Sequence, residues 1–114
     1  MSKIVLSIIM VMIAQFAYGD VFLTEIADPN NNAEARYIEL YNSGGSSVDF
    51  TEGSGWYIKK YVNGSISSTQ TLNLTGTISA GGYYLIAYNY TSGTYASVYS
   101  RTADQLDAVS NGVA

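Results

Sequence analysis

Arg36-Tyr37-Ile38-Glu39-Leu40-Tyr41-Asn42 runs with a period of two. Ile38 and Leu40 fall on one side, and Tyr37, Glu39 and Tyr41 on the other. Successive side chains of a strand point to opposite faces, so this pattern predicts a strand with one buried and one wet face. Similar runs lie on both sides. Upstream, Val21–Ala27 is apolar and closes at Asp28-Pro29-Asn30, a turn former. Downstream, Ser43-Gly44-Gly45-Ser46-Ser47 breaks the chain. Trp56–Val62 then places Trp56 and Ile58 on one face, and Asn63-Gly64 signals a tight hairpin turn with positive φ. Thr69–Thr75 places Leu72 and Leu74 on one face. After Ala80-Gly81-Gly82, the run Tyr83–Tyr90 is apolar on both parities, so either Tyr84 and Ile86 or Leu85 and Ala87 face inward. Tyr95–Tyr99 reads as a sixth strand, and Ala103–Val109 as a short helical turn with Leu106 and Val109 three apart. Short apolar runs separated by turn residues are the all-β pattern. The expected core is Ile26, Ile38, Leu40, Trp56, Ile58, Leu72 and Leu74.

Composition narrows the function classes. The chain has 114 residues, formal net charge −4, and neither His nor Cys. One domain fits this length. Disulfides, Cys- or His-based zinc or haem sites and nucleophile–histidine triads are excluded. The acidic balance argues against a surface that tracks nucleic-acid phosphates.

The first 19 residues have the three-part layout of a secretory signal peptide. Lys3 supplies the positive start, Ile4–Phe16 the apolar run, and Ala17-Tyr18-Gly19 the small residues before cleavage. The expected cut lies between Gly19 and Asp20, leaving residues 20–114 as the mature domain. The apolar run is shorter than the ~20 residues of a membrane span, so no stable anchor is expected after cleavage. The expected location is secreted, either extracellular or periplasmic.

A family resemblance follows from four segments in order: Phe22-Leu23-Thr24-Glu25-Ile26-Ala27, Ile38-Glu39-Leu40-Tyr41-Asn42, Gly55-Trp56-Tyr57-Ile58-Lys59-Lys60 and Ala80-Gly81-Gly82-Tyr83-Tyr84. Together they resemble the lamin-tail domain in its secreted bacterial type. The resemblance implies an immunoglobulin-like β-sandwich without catalytic residues. It also implies that the family's last strands are missing after Asn111-Gly112, so the expectation is either a truncated product or fragment of a longer protein, or a sheet edge left open for self-association or for a strand donor. Two functions are compatible with it. One is a non-catalytic secreted module for adhesion or assembly, with a protein or a cell-surface glycan as partner. The other is an accessory fragment of a larger extracellular hydrolase, since such domains accompany nuclease and phosphatase domains.

Candidate sites are few. Tyr37 and Tyr41 share a face of one strand, and Tyr57 and Tyr61 a face of another. If those strands pair, the four rings form an outward aromatic patch suited to glycans, peptides or proteins. A Glu39–Lys59 cross-strand pair would follow from the same pairing. The oxygen-rich loop around Asp28, Asn30 and Glu34 offers ligands of the kind calcium takes, but lacks the glycine and terminal glutamate of a calcium loop. It reads as a solvated turn, and no cofactor is expected.

Overall fold

A computed structural model describes residues 21–29, 32–88, 94–107 and 109. The leader, its Gly19/Asp20 junction, Asn30 and the turn-like end at 110–114 lie outside the described residues.

The run that alternates in the sequence is strand β2 (Tyr37–Asn42), and its Ile38, Leu40 and Asn42 are buried. It pairs antiparallel with β1 (Val21–Ala27) on one side. On the other it pairs antiparallel with β7 (Tyr83–Ala87). β7 pairs parallel with the short β8 (Gln105–Leu106), giving the sheet order β1-β2-β7-β8. The facing layer consists of two strand pairs, β3 (Val48–Asp49) with β6 (Thr77–Ile78) and β4 (Tyr57–Lys60) with β5 (Gln70–Asn73). The two layers make an immunoglobulin-like β-sandwich. Ile38, Leu40, Tyr84 and Ile86 meet Phe50, Leu72, Leu74 and Ile78 between them. Each fully buried large side chain of this set is worth ~1.5–3 kcal/mol relative to exposure.

The β4–β5 hairpin turns as the Asn-Gly dipeptide demands. Asn63 has φ 53° and Gly64 φ 72°, and Ser65 N donates to Val62 O at 3.0 Å. Positive φ at both central residues matches the right-handed strand twist. Between sheets, Gln105 acts as a tie. Its Nε2 donates to Asn73 O at 3.0 Å, and its Oε1 accepts from Thr75 N at 3.2 Å. The Tyr84 hydroxyl donates between Thr75 O at 2.7 Å and Gln105 Oε1 at 2.9 Å.

Both parities of Tyr83–Ala87 are buried because this sheet is covered on both faces. Tyr84 and Ile86 enter the sandwich core, while Leu85 and Ala87 pack with Tyr95, Tyr37, Tyr99 and Ala103 on the outer face.

Several expectations are corrected. Tyr95–Tyr99 is not a strand: Thr94–Tyr99 is helix α1. Tyr95 and Tyr99 are four apart, so a helix brings both onto Tyr37, with ring centroids at 5.6 and 5.3 Å. Ala103–Val109 is not a helical turn across its middle, because Gln105–Leu106 extends to pair with Ile86 and Ala87. Ile26 is not core. It is 43% exposed on β1, the edge strand of its sheet. Trp56 is not the core anchor either. Phe50, fully buried, takes the central site between the layers, and the Trp56 ring lies against its edge at 5.9 Å with 38% of the residue exposed. Ile58 is half-buried against the core, and Ile38, Leu40, Leu72 and Leu74 are buried within it. Phe50 was missed because it lies on a turn with no strand periodicity around it.

Candidate functional site

The motif residues hold the end of the sandwich together. Asn42 is fully buried, an unusual place for an amide. Its Nδ2 donates to Ser46 O at 2.8 Å and to Ile78 O at 3.4 Å, and its Oδ1 accepts from Gly44 N at 2.9 Å. Its backbone exchanges bonds with the glycine turn, Asn42 N to Gly82 O at 3.0 Å and Gly81 N to Asn42 O at 2.8 Å. A Cβ on Gly82 would stand 2.9 Å from Ser79 O, so the turn admits glycine there. These residues are therefore structural.

The expected aromatic patch does not assemble. β2 pairs with β1 and β7, whereas β4 pairs with β5, so Tyr37 and Tyr41 lie on a different sheet from Tyr57 and Tyr61. Tyr37 is half-buried in a cluster with Tyr95 and Tyr99. Burial pushes its phenol up to about 12, with the hydrogen bond to the Glu25 carboxylate adding to the shift. Burial also raises the Tyr95 and Tyr99 phenols. The three rings touch at centroid distances of 4.9–5.6 Å, which leaves no gap between them for a ligand cation. Tyr41 stacks at a tilt on Tyr83, 4.9 Å apart. Tyr57 and Tyr61 are more than half exposed. The Glu39–Lys59 pair does not form. Glu39 accepts from Thr24 Oγ1 at 2.9 Å, and Lys59 Nζ sits 5.1 Å over the Tyr57 ring.

The oxygen-rich loop uses its acid internally. Arg36 grips Asp28 with two parallel bonds, Nε to Oδ1 at 2.8 Å and Nη2 to Oδ2 at 3.0 Å. This holds the Asp28 carboxyl below the usual carboxylate range. Asn32 Oδ1 accepts from Glu34 N at 3.2 Å, an N-cap on the single 3-10 turn Ala33–Ala35. Both Asp28 oxygens thus face a guanidinium. Among the described residues, no group of three or more acids could hold a metal ion.

Among the described residues there is also a concave feature that periodicity did not reveal. A cleft of about 240 Å³ opens between β1 and β4, lined by Leu23, Ile26, Ile38, Ile58, Lys59, Lys60, Tyr61 and Val109. A register shift between Leu23 and Glu25 puts Leu23 opposite Leu40 and Ile26 opposite Ile38. Both therefore sit on the core-facing side of β1, yet Leu23 is 51% and Ile26 43% exposed. β1 is also an edge strand, so one row of its backbone groups has no partner strand among the described residues. The sequence signal that could have located this site is Lys59-Lys60 following an inward Ile58.

A family model for the lamin tail domain matches residues 14–113. The chain belongs to the lamin tail domain family. No curated protein and no solved structure matches. In this lamin tail domain, the segments that carried the resemblance are the two sides of the Asn42 junction, Ile38–Asn42 and Ala80–Tyr84, with the β1 and β4 borders of the cleft. The family is one of non-catalytic immunoglobulin-like domains. Its membership gives this chain the character of an interaction module.

Proposed function

We propose that this lamin tail domain is an exported, non-catalytic module that binds another protein by taking up an extended segment along β1. The observation that carries this reading is the exposure of Leu23 and Ile26 on the core-facing side of an edge strand, over an apolar cleft. Strand addition uses both features. The edge supplies backbone hydrogen bonds, and the cleft accepts alternate side chains. Export is supported by Lys3, the apolar run Ile4–Phe16 and the small residues before Asp20. A protein partner suits the site better than a glycan, whose expected aromatic platform is divided between two sheets.

The test is selection of displayed random heptapeptides on the immobilised chain, with a Leu23→Lys/Ile26→Lys variant as comparison. Charges on an exposed edge block strand pairing and leave the buried core untouched. The reading expects apolar-alternating peptides enriched by the parent chain and none by the variant. Equal enrichment by both, with both folded, would refute it.

A further inference from the structure

We infer that the segment received by this cleft is acidic: an apolar extended peptide, from a different protein, with a carboxylate side chain at the Lys59-Lys60 end of the cleft. The inference rests on the docking site proposed above and names its partner's chemistry.

Charge complementarity is the first argument. The chain has nine acids against five bases, yet the cleft is lined by two lysines and by no acid. The remaining bases lie elsewhere: Lys3 is in the leader, Arg36 grips Asp28, and Arg101 follows α1. An acidic protein thus presents its one adjacent pair of lysines at its apolar cleft. A strand laid against β1 would put alternate side chains over Leu23 and Ile26, facing Ile58 and Tyr61. Lys60 shares the inward face of β4 with Ile58, two residues away, and its ammonium marks the charged end of that apolar floor. Lys59 points to the other face, where its Nζ rests over Tyr57 at the rim.

The second argument is an unsatisfied group. Gln70 is the cross-strand partner of Lys60, and its Oε1 is buried with no hydrogen-bond partner among the described residues. Buried acceptors are normally paired. Gln70 lies beside Lys60 and outside the cleft lining, so a donor carried by the incoming segment past the lysine end of β4 would satisfy it.

A second copy of this chain fits less well. Each copy would offer the other a cleft lined by lysines and by no acid. Pairing would also join two acidic molecules.

The experiment repeats the heptapeptide selection with the full chain and with Lys59→Glu/Lys60→Glu. The parent chain is expected to enrich apolar peptides with Asp or Glu. The charge-reversed variant is expected to enrich Lys or Arg at the same peptide position. A synthetic copy of the best parent-selected peptide should lose about tenfold in affinity on its Glu→Gln change or on charge reversal of the protein, and should weaken as salt rises. The salt series needs no variant, so it stands even if the charge-reversed chain fails to fold. Enrichment of apolar peptides without acid preference, or with no salt effect, overturns the inference while leaving the docking site intact. No enrichment at all removes the docking site and the inference with it. A dimer in sedimentation that Leu23→Lys dissolves would make a second copy the occupant, and that also overturns it.

Discussion

Replacing Asn42 tests the junction on which the sandwich closes. The amide is fully buried and bonded to Ser46 O, Ile78 O and Gly44 N. Asn42→Leu strands one donor and two acceptors, and each buried unsatisfied group costs about 1–3 kcal/mol. Partial access of solvent near Ser46 and Gly44 lowers the sum to about 3 kcal/mol. This loss should not change with pH. Asn42→Asp is different in kind. A carboxylate there would face two carbonyl oxygens, so the folded state would favour the protonated acid and raise its pKa above the unfolded value of about 3.9. A group with a raised folded pKa has its stability intact below the unfolded pKa and loses it as pH rises through the folded one. A shift of about three units, ordinary for full burial, amounts to about 4 kcal/mol near pH 7. That is most of the stability of a marginal domain. The assay is urea unfolding followed by circular dichroism, with each variant compared with the parent at pH 4 and pH 7. The Asp variant should lie close to the parent at pH 4 and be largely unfolded at pH 7. A variant equally stable relative to the parent at both pH values would refute the claim that Asn42 donates to buried carbonyls.

Other outcomes follow from the same structure. Phe50→Ala should cost about 3–5 kcal/mol in chemical unfolding, and Trp56→Ala at least about 1 kcal/mol less, because truncating a ring open to solvent leaves no sealed cavity. Gly82→Ala should cost about 1–3 kcal/mol through the Ser79 O clash, read as a lower unfolding midpoint. In a spectrophotometric titration, Tyr37→Phe should remove a step near pH 12; its raised pKa gives stability present below the ordinary tyrosine range and lost as pH rises through about 12. Asp28 works in the opposite sense: its depressed pKa gives stability above the ordinary carboxylate range that is lost as pH falls through the folded value, so Asp28→Asn should flatten the acid side of the thermal stability profile. Millimolar calcium should leave the melting temperature unchanged relative to chelator, since Arg36 holds both Asp28 oxygens.

What was legible in the sequence was whatever a single strand can encode. Alternation fixed the inward face of β2, and Asn63-Gly64 marked the turn between β4 and β5. Pairing between strands was not legible, because Tyr37/Tyr41 and Tyr57/Tyr61 alternate identically whether or not their strands meet. α1 was mistaken for a strand because Tyr and Val favour strands, while its four-residue Tyr spacing was the better guide. The cleft was hidden for a related reason. Leu23 and Ile26 carry inward parity only through a bulge, and their exposure depends on how far the facing layer reaches. Asn42 read as a strand end, since nothing local marks an amide that bonds to Ile78, 36 residues away.

The most direct test of docking along β1 is an NMR titration of the isotope-labelled chain with a peptide selected on it. The account predicts shifts and slowed amide exchange confined to β1, Val21–Ala27, and to the cleft residues Ile58, Lys59, Lys60 and Tyr61 of the facing strand. Changes centred instead on Tyr41 and Tyr83, on the outer face of the sheet, would contradict it.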